Sequence, residues 1–287
     1  MEVVFSRAKE TEVMRRLFNV AYFALSVLLL TSCTSNDSKS GDSSTGSENS
    51  NGGIPTTKLM GFSIVKTYPH DTSSYTQGLQ IYKDELYEGT GNYGRSHLMK
   101  VDLTSGKAIQ KIPLDGKYFG EGITILRDTV YQLTWRENTV LVYTLKDFRK
   151  IKEFHLDPEG WGLTTDGKDL IASDGSSNLY YYDPSTFKLL RTQTVTESGA
   201  LSYNLNELEF IDGFIYANQY QAPYIFKIDP GSGTVVSKAD LTPVWERVKV
   251  IDPQADVPNG IAYDETTKKI YVTGKLWPEL YEIQFSK

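Results

Sequence analysis

From Gly61 onward this 287-residue chain repeats one strand-rich phrase five times in tandem. Each copy opens on a short turn and strand: Thr76-Gln77-Gly78-Leu79, Gly120-Glu121-Gly122-Ile123, Gly160-Trp161-Gly162-Leu163, Leu205-Asn206-Glu207-Leu208 and Pro258-Asn259-Gly260-Ile261. An apolar pair follows in each, at Leu86-Tyr87, Val130-Tyr131, Leu170-Ile171, Ile215-Tyr216 and Ile270-Tyr271, so the copies recur at intervals of 40 to 55 residues. Third strands are expected at 98–103, 141–145, 179–183, 225–229 and 280–285, and four copies add a fourth, at 107–114, 150–156, 188–195 and 234–241. Several short strands per unit of this length are the signature of a β-propeller blade. The 227 residues from Gly61 to Lys287 hold five such units, which predicts an all-β, five-bladed β-propeller with no room for a second domain. Because the last copy stops after its third strand, the alternating stretch Phe62 to Thr67 is expected to supply the missing outer strand and close the ring.

The segment ahead of the repeat has a different character. Arg15 and Arg16 precede an apolar run of 14 residues, Leu17 to Leu30, too short to span a bilayer and right for a secretory signal. It ends in Leu30-Thr31-Ser32-Cys33, and Cys33 is the only cysteine in the chain. That ending resembles a bacterial lipobox, whose cysteine is lipidated; an ordinary cleaved signal with an incidental cysteine is the alternative. Residues 34–57 are mostly Ser, Gly, Asn, Asp and Thr, a composition that buries too little apolar surface to fold. The expected organisation is a signal with lipobox over 1–33, a tether over 34–57 and the propeller over 58–287. The expected location is that of an exported bacterial lipoprotein, anchored in a membrane on its periplasmic or cell-surface side.

A net charge of −6 and the lack of long Lys/Arg runs exclude a nucleic-acid surface. The absence of any cysteine after Cys33 excludes disulfides and thiolate metal sites from the fold. The three histidines, His70, His97 and His155, show no ligand spacing, so no metal cluster is expected.

Alignment of the copies gives two columns. The first, at the head of each innermost strand, holds Gln77, Glu121, Trp161, Asn206 and Asn259; the second, after the next strand, holds Gly91, Trp135, Gly175, Tyr220 and Lys275. Innermost strands line a propeller's channel, so the columns describe one pocket: an aromatic wall of Trp135, Trp161 and Tyr220 around a carboxylate, an amine and three amides. Such a lining suits a small ligand. Each residue also has a plainer reading: Glu121 as a turn residue, Trp161 as packing between blades, Lys275 as a surface lysine, and Asn259 as a partner of channel backbone.

With these residues in place, a family becomes recognisable. Tyr68-Pro69-His70-Asp71, Tyr75-Thr76-Gln77-Gly78-Leu79, Phe119-Gly120-Glu121-Gly122, Gly160-Trp161-Gly162-Leu163, Ser173-Asp174-Gly175, Leu205-Asn206-Glu207-Leu208-Glu209, Asn259-Gly260-Ile261-Ala262 and Thr273-Gly274-Lys275-Leu276-Trp277-Pro278 together resemble the glutamine cyclotransferase family, the plant and bacterial type of glutaminyl-peptide cyclotransferase. The resemblance implies conversion of an N-terminal glutamine of peptides or proteins to 5-oxoproline with release of ammonia. It places the catalytic acid on Glu121 and other pocket roles on Gln77, Trp135, Trp161, Asn206 and Lys275. Two positions depart from the family pattern while keeping an aromatic face: Tyr75, where phenylalanine is common, and Tyr220, where tryptophan is common in plant members.

The substrate's own amine is the nucleophile in this reaction, so no cofactor is required; a structural calcium or other divalent ion held by channel carbonyls is compatible with it. Lys275 and Asn206 are candidates for the oxyanion, Gln77 for orienting the amide, and Tyr75, Trp135, Trp161 and Tyr220 for holding the substrate. Burial would raise the pKa of Glu121 and Lys275 would lower it, a balance the sequence leaves open. Two other functions stay open at this point. A calcium-dependent propeller lactonase would use Glu121, Asn206 and Asn259 as ligands but lacks an aspartate in the ring; a non-catalytic, lipid-anchored binding propeller would not need a lone carboxylate among tryptophans. A closed ring is expected to stand alone as a monomer.

Overall fold

The computed structural model describes residues 56–286. The signal, the lipobox at Cys33 and nearly all of the tether lie outside the described residues.

Four-stranded antiparallel sheets succeed one another along the chain, each running from an inner to an outer strand. Blade 1 comprises Thr76–Tyr82, Glu85–Thr90, His97–Asp102 and Lys107–Pro113, and blade 2 comprises Gly120–Leu126, Thr129–Thr134, Thr139–Thr144 and Lys150–His155. Blade 3 is built from Leu163–Thr165, Leu170–Ser173, Asn178–Tyr182 and Leu189–Thr194, and blade 4 from Leu205–Ile211, Phe214–Gln219, Tyr224–Ile228 and Val235–Asp240. Blade 5 takes Pro258–Asp264, Lys269–Gly274 and Glu279–Phe285 from the C-terminus. Its outermost strand is Phe62–Pro69, antiparallel to Glu279–Phe285 with Phe62 opposite Phe285 and Ile64 opposite Ile283. The arrangement is a five-bladed β-propeller, and the expected strands match those observed to within two residues at their ends.

Alternating side chains explain the packing. Each inner face meets the next blade, and one buried apolar cluster fills each junction: blades 1 and 2 around Ile123 and Leu141, 2 and 3 around Leu133 and Leu163, 3 and 4 around Leu179 and Phe226, 4 and 5 around Val272 and Tyr281, and 5 and 1 around Leu79 and Tyr271. Outer strands such as Lys107–Pro113 stay largely exposed.

Two further elements join the five blades. A helix, α1 (Thr242–Ile251), occupies the long interval between blades 4 and 5, with Pro243 in its first turn and Val244 and Val248 buried one turn apart in the blade 4–5 core. Lys58–Leu59 adds a fifth strand to blade 4, parallel to Val235–Asp240.

Candidate active site

Local irregularity aims the first column into the channel. The inner strand of blade 1 changes register between Thr76 and Gly78, that of blade 2 between Gly120 and Ile123, that of blade 4 between Leu205 and Leu208, and that of blade 5 between Pro258 and Ile261. Bulges of this kind re-aim a side chain that regular pleating would direct elsewhere. Gln77, Glu121, Asn206 and Asn259 all fall inside them. In blade 3 the strand begins only at Leu163, so Trp161 precedes it rather than belonging to it.

The second column follows directly on the second strand in four blades and one residue later, at Gly175, in blade 3, and its two glycines are seats for rings. A Cβ on Gly91 would lie 2.3 Å from the Phe119 ring, and one on Gly175, where φ is +79°, 2.6 Å from the Trp161 ring. Side chains here would expel the aromatic wall.

All eight predicted catalytic and substrate-binding residues come together. Tyr75, Gln77, Glu121, Trp135, Trp161, Asn206, Tyr220 and Lys275 line one cavity of about 290 Å³, joined by Phe119, which the columns missed. Two edge-to-face groups form its wall, Phe119 against Trp135 with ring centres 5.5 Å apart and Trp161 against Tyr220 at the same distance. Such contacts stiffen the cage beyond what burial alone provides. Glu159, also unforeseen, joins the two tryptophans by accepting the indole N–H of Trp135 at 2.8 Å and of Trp161 at 3.3 Å. Arg136 donates to the same carboxylate and lies over the Trp135 ring.

At the base of the cage a hydrogen-bond chain links three polar residues. Lys275 Nζ donates to Gln77 Oε1, and Gln77 Nε2 donates to Glu121 Oε1 at 2.9 Å. An ammonium has only donors, so Lys275 fixes which end of the Gln77 amide faces the carboxyl group. Asn259 Nδ2 braces the same Gln77 oxygen at 3.2 Å and bonds the Thr76 carbonyl at 2.9 Å. The side-chain oxygen of Asn206 has no partner among the described residues. Lys275 is only 2% exposed and sits 4.3 Å from the centre of the Tyr75 ring.

In the balance left open by the sequence, burial is the largest contribution. Burial pushes the Glu121 carboxyl well above the usual carboxylate range; the Lys275 ammonium opposes this, while the Glu137 and Glu159 carboxylates add to it. Burial likewise lowers the Lys275 amine to about 8, against the opposing charges of Glu121 and Asp256. A group whose folded pKa lies below its unfolded value takes up a proton on unfolding between those two values, so the Lys275 contribution to stability grows as pH rises from about 8 to 10.5. Lys275→Met is therefore expected to melt above the wild type at pH 7, where the buried charge is fully present, and to lose that lead toward pH 10. Its turnover should fall by about 10²-fold. Thermal melts across that range check the sign, and a variant that melts lower at pH 7 would show that the ammonium stabilises the fold.

Other buried carboxylates are tied into the ring instead. Glu207 accepts the Leu79 N–H of blade 1 and the Ile261 N–H of blade 5 at 3.1 and 2.8 Å. Glu88 accepts from Thr76 at 2.7 Å and pairs with His70 at 3.2 Å, while the other ring nitrogen of His70 meets the Trp277 carbonyl. A calcium-hydrolase reading does not fit the donor set, because the ring supplies no aspartate and the Lys275 amine stands two hydrogen bonds from Glu121.

Fold and site define a propeller whose pocket pairs one buried carboxyl group with one buried amine through an amide, inside an aromatic cage sized for a single residue. The chain belongs to the glutamine cyclotransferase family, which it matches over residues 26–285. It is 41% identical over 228 residues to the glutaminyl-peptide cyclotransferase of Arabidopsis thaliana, a match covering 78% of this chain and 71% of the relative. The crystal structure of glutaminyl cyclase from Myxococcus xanthus is similar with a TM-score of 0.76 at 32% identity, covering 80% of this chain and 98% of that one.

Proposed function

We infer that this chain is a glutaminyl-peptide cyclotransferase and that Glu121 carries its proton transfers. The observation behind the residue assignment is the chain from Lys275 through Gln77 to Glu121 at the base of the cage. In the reaction the substrate's neutral α-nitrogen attacks its own side-chain amide carbon, forming the ring C–N bond and an oxyanion. The C–NH₂ bond then breaks. Glu121, protonated at rest, gives its proton to the departing nitrogen, which leaves as ammonia; its carboxylate takes a proton from the ring nitrogen and is restored. One proton moves from the attacking to the leaving nitrogen, so the enzyme ends as it began.

The remaining residues act on geometry and charge. Lys275 and the Asn206 amide stabilise the oxyanion, which is worth most in a site shielded from water. Gln77 holds the substrate amide, and the rings of Tyr75, Trp135, Trp161 and Tyr220 keep the short glutamine stem folded toward attack. The chemistry uses no cofactor in this reading. Ammonia release from Gln-Ala by the purified protein, with and without a chelator, tests it; release that disappears with chelator would require a metal in the mechanism.

The full chain acts as an exported lipoprotein, held to a membrane through Cys33 and the tether and working as a monomer on peptides or proteins that carry an N-terminal glutamine. Cys33→Ser is expected to move the protein from the membrane fraction to the soluble fraction of producing cells. Unchanged partitioning would remove the anchor.

A further inference from the structure

Beside the cage lies a second concavity of about 470 Å³, on the blade 1 side of the same face, lined among others by Thr72, Ser73, Tyr75, Arg95, His97 and Lys111. Tyr75 belongs to both, so one ring forms the partition between them. That partition is held from both sides: the Tyr75 carbonyl accepts the Gly91 N–H and the Ser74 carbonyl accepts the N–H of Leu276, the residue after Lys275, each at 2.8 Å.

The groove's charge is unusual for this protein. On a chain of net charge −6, it presents Arg95 and Lys111, neither of which forms an ion pair among the described residues. Asp71 bonds to the N–H and hydroxyl of Ser73, at 2.9 and 2.7 Å, and lies near enough to Lys111 to feel its charge, which it offsets in part. His97 is partly buried, and burial and the nearby Lys111 ammonium lower its pKa. The cage carries carboxylates as well: Glu159 accepts the indoles of Trp135 and Trp161 on the side of blades 2 and 3, and Glu137 accepts the Phe119 N–H and the Tyr93 hydroxyl between blades 1 and 2. For a glutamine seated in the cage with its α-nitrogen toward Glu159, the next residues, at about 3.3–3.6 Å each, would reach the groove across Tyr75.

We propose that this groove is a specificity subsite for an acidic side chain at the second or third position of the peptide, recognised by Arg95 and Lys111 with the hydroxyl of Thr72. The assignment rests on the cyclotransferase reading above. Complementary charges of this exposed kind select among partners more than they add affinity.

The test compares C-terminally amidated peptides, Gln-Ala-Ala, Gln-Glu-Ala, Gln-Ala-Glu and Gln-Ala-Lys, by ammonia release from the wild type and from Arg95→Ala/Lys111→Ala. For at least one glutamate peptide the wild type should show a KM about 5-fold below that of Gln-Ala-Ala, at similar kcat. The advantage should shrink as ionic strength rises. In the double variant it should vanish while Gln-Ala-Ala is turned over as before; both residues are exposed and outside the cage, so this control reports folding and chemistry together. Equal KM values for acidic and neutral peptides in the wild type, or a preference that survives in the variant, would overturn the subsite and leave cyclisation standing. No release from any peptide, Gln-Ala-Ala included, would instead overturn the cyclotransferase reading and the subsite with it.

Discussion

Glu121→Gln is expected to lower kcat for ammonia release by about 10²- to 10⁴-fold, the range for loss of a positioned acid/base group, while melting no lower than the wild type at pH 7. The amide keeps the size of the carboxylic acid and its acceptor for Gln77 Nε2, so the base of the cage stays assembled. Stability follows from the direction of the pKa shift. Because burial raises the Glu121 pKa well above 4.5, the unfolded chain releases this proton at a pH where the folded chain keeps it. The stability owed to the group is then complete below pH 4.5 and is lost as pH rises toward the folded pKa. Glutamine has no proton to release, so the variant should melt at or above the wild type near neutrality and converge with it under acid. Two measurements separate the alternatives. A variant that keeps most of its turnover removes Glu121 from the chemistry. One that loses turnover and also melts well below the wild type at pH 7 means that the resting carboxyl group is ionised and paired with the Lys275 ammonium, so proton transfer begins with Glu121 as base.

The blades and the cage were readable because each repeats a pattern in one dimension. Apolar alternation fixed the strands, and the first column could be read because a bulge stands at the head of four inner strands, where glycine or a polar residue interrupts the pattern. What escaped lacks a repeat. α1 has only two buried side chains, Val244 and Val248, and left no trace beyond the length of the interval between blades 4 and 5. Lys58–Leu59 is two residues long and carries no periodicity at all. Phe119 precedes the Gly120-Glu121-Gly122 turn as an ordinary aromatic residue; its signal was the empty position at Gly91, which only the fold shows to be its seat. Glu159 precedes Trp161 by two residues and follows Trp135 by 24, and only the meeting of blades 2 and 3 puts both indoles on one carboxylate. Glu207 had a signal in plain view, since it stands where the other four copies have Gly78, Gly122, Gly162 and Gly260. At Gly78, Gly122 and Gly162 a missing side chain lets inner strands touch; in blade 4 a carboxylate bonds to the neighbours' backbone instead.

That column of glycines carries the largest expected stability effect, at Gly162. A Cβ there would fall 1.9 Å from the Asn206 carbonyl oxygen, 2.7 Å from its carbon and 2.9 Å from the Glu207 Cα. All three are backbone atoms of the next blade's inner strand, so no rotamer change relieves the overlap; blade 3 and blade 4 must move apart. Interiors are packed too densely to absorb such a shift cheaply, and overpacking on this scale costs about 3 kcal/mol or more. For a domain of this size that corresponds to a fall in Tm of about 6–12 °C for Gly162→Ala. Gly116→Ala is the control, since its nearest neighbour would be the Gly94 Cα at 3.8 Å, and it should melt with the wild type. Activity should respond as well, because the atom that is struck belongs to Asn206. Where Gly162→Ala still folds, displacement of Asn206 should lower kcat for ammonia release more than it raises KM, since the oxyanion forms only after binding. A Tm within about 2 °C of the wild type, less than 1 kcal/mol at this size, would mean that the inner strands have slack at the point where they come closest. Asn206 would then be held by its own strand and not by the contact between blades 3 and 4.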